Sequence, residues 1–267
     1  MKLYKNPFLR KIFLPLFSKI NLGNIKIKHH YTGDSFLLHS FKHKGYWFHG
    51  KKREFETMQL FSKFIKPGHV VFDVGGHIGY TALYFSKLTG SYGKVYVFEP
   101  GKNNLYYLEQ NVKNKPNIIV VPKGAANIDG KLDFFLENLT GQNNSFVNQY
   151  QILKDNANLS NIKPEISRIT VDVVKLDTFA DSINSYPDFV KIDVEGFELE
   201  VLLGMEKILK QKSPILMIEI TRNKENIFNL LKDNQYFLFD SNLQKINKFE
   251  EISLNTFCFK DIHHIDK

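Results

Sequence analysis

The hydrophobic positions change period along the chain, and those changes divide it. Leu3, Tyr4, Phe8, Leu9, Ile12, Phe13, Leu16, Phe17 and Ile20 recur at about helical spacing among basic residues. Tyr31 to Phe48 reads as short strands or an edge hairpin covering the body of the protein. Phe55, Met58, Phe61, Phe64 and Ile65 then form a helical stripe closed by Lys66-Pro67-Gly68. Beyond it, strand-type runs alternate with helical stripes. Val70–Val74 precedes Leu83, Tyr84, Phe85 and Leu88; Val95–Phe98 precedes Leu105, Leu108 and Val112; Ile118–Val121 follows. Lys131 to Glu137 alternates as a half-exposed strand, and Ile169–Val174 leads into a short helix over Leu176–Ile183. Asp188–Val194 precedes one long amphipathic helix carrying Phe197, Val201, Leu202, Met205, Ile208 and Leu209, and Ile215–Ile220 follows. Tyr236–Phe239 and Ile252–Phe259 close the chain as a hairpin. This rhythm predicts an α/β protein with a doubly wound, mostly parallel sheet. Residues 138 to 168 break it, with seven asparagines between Asn138 and Asn161 and few apolar anchors. A polar insertion of that length sits where a lid could lie. Asn143, Asn144 and Ser145 suit hydrogen bonding to a hydroxyl-rich acceptor, and ordinary loop chemistry explains them equally well.

The run Val70 to Pro100 organises the rest. Asp73 ends a strand, Gly75, Gly76 and Gly79 punctuate a turn around His77, and Glu99 ends the next strand 20 residues after Gly79. Glycines permit close backbone approach, a helix start offers unpaired N–H groups, and a carboxylate at a strand tip can accept both hydroxyls of a ribose. A nucleoside ligand fits this unit. The dinucleotide fingerprint requires G-x-G-x-x-G. With its last two glycines on Gly76 and Gly79, Val74 stands where the first belongs, which disfavours a nicotinamide cofactor.

Several blocks now occur in a familiar order: Asp73-Val74-Gly75-Gly76-His77-Ile78-Gly79-Tyr80-Thr81, then Phe98-Glu99-Pro100, then Lys191-Ile192-Asp193-Val194-Glu195-Gly196-Phe197-Glu198. Glu54 and Glu56, Asn104 and Asn111, Leu176-Asp177, Leu203-Gly204, Pro214 and Glu219 extend the pattern over about residues 50 to 221. This chain resembles the FkbM-type S-adenosylmethionine-dependent methyltransferases. It departs from them at Gly76-His77, where the family usually has Ala-Asn. The resemblance implies a Rossmann-like class I methyltransferase fold, a seven-stranded sheet with one antiparallel strand, and S-adenosyl-L-methionine as cofactor. It implies cofactor contacts at Asp73, Gly75, Gly76, His77, Gly79 and Glu99, with Ala125 in a small-residue loop, Lys123 to Asn127, against the adenine. It also suggests that Glu54 or Glu56 closes a pocket, where dipole complementation at a helix start is the plainer reading.

Composition adds a charge asymmetry. The 267-residue chain carries a net +8, but residues 1 to 66 hold a net +11 and the remainder a net −3. The positive field thus belongs to a basic N-terminal arm, residues 1–50, and not to the methyltransferase domain, residues 51–267. A nucleic-acid enzyme would line its own cleft with positive charge, so nucleic acid is not the favoured partner. The apolar run Ile12 to Phe17 is far shorter than the ~20 residues that span a bilayer. Two readings of the arm stay open: an amphipathic segment in peripheral contact with an anionic membrane, or a helix packed on the body or on a second subunit of a homo-oligomer. Pro7 and Pro15 favour the latter. One cysteine, Cys258, and no secretory cleavage pattern point to a cytoplasmic setting, with the inner face of the membrane within the arm's reach. His29, His30, His39, His43 and His49 cluster with only Asp34 nearby, too few carboxylates for a convincing metal site; no metal ligands are assigned.

Methyl transfer to a hydroxyl needs the acceptor oxygen held at attack distance and its proton removed, by a base or with a metal's help. Asp193 is the first choice for base or acceptor anchor and Glu195 the second, although Glu195 could instead accept N–H groups of the following helix. Lys191 shares a strand face with Asp193 and would pair with it. His77 is a further base candidate, more simply read as a contact to the methionine part of the cofactor. Family members often methylate hydroxyls of sugars or polyketides, which makes a sugar or glycan-precursor O-methyltransferase the leading expectation. RNA or protein methylation, or a silent membrane-docking module, are the alternatives. Asp73, Gly75, Gly79 and Glu99 argue against silence, since a scaffold does not require that charge pattern.

Overall fold

Alternation and period resolve into elements that a computed structural model describes for residues 21–137, 141–147 and 165–261. The amphipathic run 3–20 and most of the asparagine-rich insertion lie outside the described residues. The first elements form a hairpin of β1 (Asn24–Lys28) and β2 (Ser35–His39), with Ile25 opposite Leu38 and Ile27 opposite Phe36. It begins earlier than the expected Tyr31, and residues Lys44–His49 form helix α1, not a strand. Phe36, Leu38 and, on α1, Tyr46 are buried against the body. Asn111 ties the hairpin down: its side chain accepts the Leu37 N–H at 2.6 Å and donates to the carbonyls of Leu37 and Ile78 at 3.0 and 2.8 Å.

Helix α2 (Phe55–Phe64) buries the predicted stripe, except that Phe55 itself is exposed. There follow β3 (Val70–Val74), α3 (Tyr80–Thr89), β4 (Lys94–Phe98), α4 (Lys102–Val112), β5 (Ile118–Val121), β6 (Gly124–Ala125), β7 (Gly130–Glu137), β8 (Ile166–Val174), α5 (Leu176–Ser182) and β9 (Phe189–Ile192). The expected long helix after β9 is two: α6 (Glu198–Leu203) and α7 (Glu206–Gln211). A Cβ on Gly204 would lie 1.9 Å from the Ala126 carbonyl oxygen, so the chain turns where it crosses the β6 loop. Asp177 accepts the N–H groups of Lys207 and Ile208, both at 2.9 Å, and so caps the restarted helix. The chain ends with β10 (Ile215–Glu219), α8 (Lys224–Asp233), β11 (Phe237–Phe239), β12 (Lys245–Ile246) and β13 (Asn255–Phe259).

The main sheet has the order β12-β11-β13-β10-β9-β3-β4-β5, with β10, β9, β3, β4 and β5 mutually parallel. The doubly wound expectation holds, with β13 the strand inserted antiparallel to β10. The count does not: among the described residues the sheet has eight strands and not seven, because Lys245 and Ile246 pair antiparallel with β11 at the edge. Two residues between turns carry too little hydrophobic pattern to show as a strand. Strands β7 and β8 leave the main sheet and form a three-stranded sheet, order β6-β8-β7.

Burial on both faces explains the nearly continuous apolar strands. Phe72 and Val74 of β3 join Leu176, Val201, Leu202 and Met205 on one side, while Val71 joins Phe61, Leu83, Phe85 and Leu108 on the other. The small sheet has its own cluster of Ala126, Phe134, Val171 and Val173, and Phe146 packs against it. That sheet walls one side of the crevice above the strand tips.

Candidate active site

The main sheet runs outward from β3 through β4 to β5 and resumes on β3's other side with β9 and β10, so the crevice opens where β3 and β9 part. The turn after β3 presses against both neighbours. Gly75, at φ +82, could not carry a side chain, since a Cβ would stand 1.8 Å from the Asp193 carbonyl oxygen. A Cβ on Gly76 would meet Val97 Cγ1 at 2.0 Å. The glycines therefore bring the turn onto β9 and β4, a need that exists before any ligand arrives. Gly79, also at positive φ, opens α3.

His77 sits at φ +49, a left-handed conformation that histidine, like the asparagine usual in the family, adopts more readily than most residues. Its N–H donates to Glu99 Oε2 at 2.9 Å, and Gly101 N–H donates to Glu99 Oε1 at 2.8 Å. Burial pushes the Glu99 carboxyl up to about 7, against the lowering effect of these bonds. Its two oxygens are fixed by backbone and retain lone pairs for a ligand. His77 Nδ1 lies 3.0 Å from the Tyr46 hydroxyl, a contact to the N-terminal segment that the expected role of position 77 did not include.

Glu99, Gly75, His77 and Ala125 line one cavity of about 280 Å³, together with Asp193 and Glu195. Gly76 lines a smaller chamber beside it, of about 40 Å³. Asp73 lines neither. It is fully buried behind the turn, accepts the Thr81 hydroxyl at 2.8 Å and lies 3.6 Å from Lys191 Nζ. It links the turn to α3 through Thr81.

Across β3 from Glu99, at the tips of β9 and β10, stand the carboxylates of Asp193, Glu195 and Glu219. One ligand atom from each lies within 4.8 Å of the others, a grouping that could hold a metal ion. Glu219, at the tip of β10, belongs to the family pattern but was not among the expected catalytic residues. Its position after an apolar strand in the same sheet was the available signal. Lys191 Nζ, itself buried, reaches Asp193 Oδ2 at 3.0 Å, as the strand alternation predicted. Burial opposes the charge on Lys191, but Asp193 and Asp73 outweigh it and hold the ammonium above its ordinary range. Glu195 is pushed up to about 8 by burial, then by the Asp193 and Glu198 charges. Glu219 is likewise pushed up to about 8 by burial, Asp193 and Glu195. The helix-capping role open to Glu195 is not taken up: α6 has Phe197 at its N-cap and no side-chain cap, while Glu198 Oε1 accepts the Gly196 N–H at 2.7 Å just ahead of it.

The loop residues divide. Asn143 lines the cavity, whereas Ser145 Oγ donates to the Glu195 carbonyl at 2.8 Å. Asn144 also lines it but is buried, accepting the Glu137 N–H and donating to Asn103 Oδ1. The histidines of the N-terminal segment do not form a metal cluster among the described residues; His29 packs on Tyr80, its ring nitrogen 3.0 Å from the Tyr80 carbonyl. Glu56 is exposed and away from both cavities, while Glu54 lines both.

Residues 73–254 match the sequence profile of the methyltransferase FkbM domain. The chain belongs to the FkbM methyltransferase family. Its domain is that of an S-adenosylmethionine-dependent methyltransferase. Among solved structures it is similar to methyltransferase FkbM from Methylobacillus flagellatus KT, with 16% identity over 76% of this chain and 50% of that one and a TM-score of 0.46. It thus spans about half the length of that relative. It is also similar to a putative rRNA-methylase from Clostridium thermocellum, at 11% identity over 77% of this chain and 93% of that one, TM-score 0.43. Aeropyrum pernix fibrillarin, solved with natively bound S-adenosyl-L-methionine, matches at 12% identity over 76% and 72%, TM-score 0.41. No curated protein matches the chain. No helix among the described residues is long and apolar enough to cross a membrane.

The FkbM-type site fits its cofactor on a local observation. Asn104 lines the cavity near Glu99; its Nδ2 donates to the Gly141 carbonyl at 3.0 Å, but its buried Oδ1 has no hydrogen-bond partner. An orphaned acceptor beside a carboxylate that still has lone pairs calls for a ligand rich in donors, as a ribose is.

Proposed function

We propose that this protein is an O-methyltransferase that methylates a hydroxyl of a sugar or glycan precursor. The observation that carries the reading is the carboxylate cluster of Asp193, Glu195 and Glu219 across β3 from Glu99. S-adenosylmethionine supplies an electrophilic methyl group. The chain's task is then to orient an acceptor oxygen and take its proton. Asp193, steered by Lys191, is placed to accept that proton, and Glu195 and Glu219, with raised proton affinity, can hold hydrogen bonds to neighbouring hydroxyls as donors or acceptors. Asn143 and Asn255 add amide groups to the same lining.

Charge favours such an acceptor over RNA. Glu54, Glu99, Asp193, Glu195 and Glu219 line the large cavity against one cation, Arg53. A phosphate backbone would meet repulsion there, whereas a neutral polyol would not. Incubating the enzyme with labelled S-adenosylmethionine and separate pools of neutral glycan precursor, RNA and protein tests this. Label in the glycan pool alone is expected; label in RNA or protein alone replaces the reading. Running Asp193→Asn with and without a chelator separates a proton acceptor from a cation ligand, because only the latter makes the wild-type rate chelator-sensitive.

A further inference from the structure

The smaller chamber opens between the glycine turn and the segment that precedes the family-matched residues. Gly75, Gly76, His77, Tyr80 and Thr81 line it together with Tyr46, Arg53 and Glu54, and the Lys191–Asp193 ion pair reaches it as well. Tyr46, Arg53, Glu54, Gly75, His77 and Asp193 also line the large cavity, so the two spaces are continuous in their walls. At about 40 Å³ the chamber suits the end of a ligand and not a whole one.

Arg53 and Glu54 are consecutive, yet both face this space. In a regular strand they would point to opposite faces. Glu54 escapes that constraint by adopting φ +50, a strained value for glutamate. The Arg53 guanidinium is held by two contacts. It lies 4.5 Å from the centre of the Tyr46 ring, and its Nε pairs with Glu54 Oε1 at 3.2 Å. Its Nη1 occupies the space a side chain at Gly45 would need, 2.7 Å from where a Cβ would stand. Neither Nη atom has a hydrogen-bond partner among the described residues. A fixed guanidinium with both terminal nitrogens unspent, beside a carboxylate, matches a ligand end that carries one carboxylate and one ammonium.

We propose that Arg53 and Glu54 bind the zwitterionic amino-acid end of S-adenosylmethionine, Arg53 taking its carboxylate and Glu54 its ammonium. The inference rests on the nucleoside lying by Glu99, which leaves the glycine turn and this chamber for the methionine portion. It assigns a cofactor-specificity role to residues that precede the matched domain.

Calorimetric titration with three ligands tests it: S-adenosylmethionine, S-adenosylhomocysteine and 5′-methylthioadenosine, which keeps the nucleoside and lacks the amino acid. Arg53→Gln should bind the first two at least about tenfold more weakly and leave 5′-methylthioadenosine unchanged. Arg53→Lys should recover part of the loss, and Glu54→Gln should show a smaller loss with the same ligand selectivity. Unchanged binding of S-adenosylmethionine to Arg53→Gln overturns the proposal, as does an equal loss for all three ligands. Retained 5′-methylthioadenosine binding shows that the variant is folded. Glu99→Ala should weaken all three; if it weakens none, the nucleoside placement fails and the proposal falls with it.

Discussion

The two ends of the cavity are both built from carboxylates, and they are built differently. At the Glu99 end one carboxylate has each oxygen held by a backbone N–H, so its position is set before a ligand arrives. At the Asp193 end three carboxylates crowd within ligand-sharing distance, and Lys191 pairs with Asp193. The first arrangement spends its hydrogen bonds on position and suits binding. The second buries Glu195 and Glu219 beside other carboxylates, and burial first, then the neighbouring charges, raises their proton affinity, which suits proton transfer. The difference teaches that binding and chemistry can be told apart by how a carboxylate is satisfied, and not merely by where it lies.

The sharpest way to break that contrast is Asp193→Asn. It should lower turnover by about a hundredfold or more while cofactor affinity in a titration stays at the wild-type level. Undiminished turnover would take Asp193 out of the chemistry. Gly75→Ala attacks the junction between the two ends, since its Cβ would displace the Asp193 carbonyl. A loss of about 2–4 kcal/mol in urea unfolding is expected from the forced backbone shift at a positive φ; wild-type stability would show that the turn can retreat. Glu99→Ala should weaken cofactor binding by about 1–3 kcal/mol with little change in the denaturation midpoint.

Glu195 sharpens the contrast through pH. Its folded-state pKa of about 8 lies above the ordinary 4.5, so the folded protein holds this proton more tightly than the unfolded chain does. The stability it contributes is present in full below the ordinary value and is lost as pH rises through about 8. Glu195→Gln should therefore melt about 3 °C or more above wild type at pH 8.5. At pH 4 the two should melt alike. A constant difference across pH would mean that the folded protein does not raise Glu195 above its ordinary range. The smallest effect is expected from Tyr46→Phe, which removes the hydroxyl contact to His77 Nδ1. It should cost about 1 kcal/mol of stability or less, and a loss several times larger would show that the N-terminal segment governs the turn.

The main sheet was legible because each of its parallel strands pairs an apolar run with a turn signal, as Val70–Val74 does with Gly75. The edge strand Lys245–Ile246 and the break at Gly204 were not. The former is too short to show a period, and the latter depends on how closely Ala126 approaches from elsewhere in the chain. Among site residues, Glu99 and Asp193 announced themselves by standing at strand tips. Asp73 stood at one too, and only packing showed it turned inward toward Thr81 and Lys191. Glu219 carried the same signal as Asp193 but gained its meaning from two neighbours brought beside it.

By itself the sequence determined the order of elements, the nucleoside-type turn and the strand-tip acids, because those follow from period, glycine placement and alternation, which are local properties. Tertiary structure alone decided which acids share a cavity, which is buried behind it, and that Tyr46 and Arg53 from the N-terminal segment close it. Those outcomes depend on distances between residues far apart in the chain. No local pattern encodes them, because burial and like-charge crowding exist only once the strands are side by side.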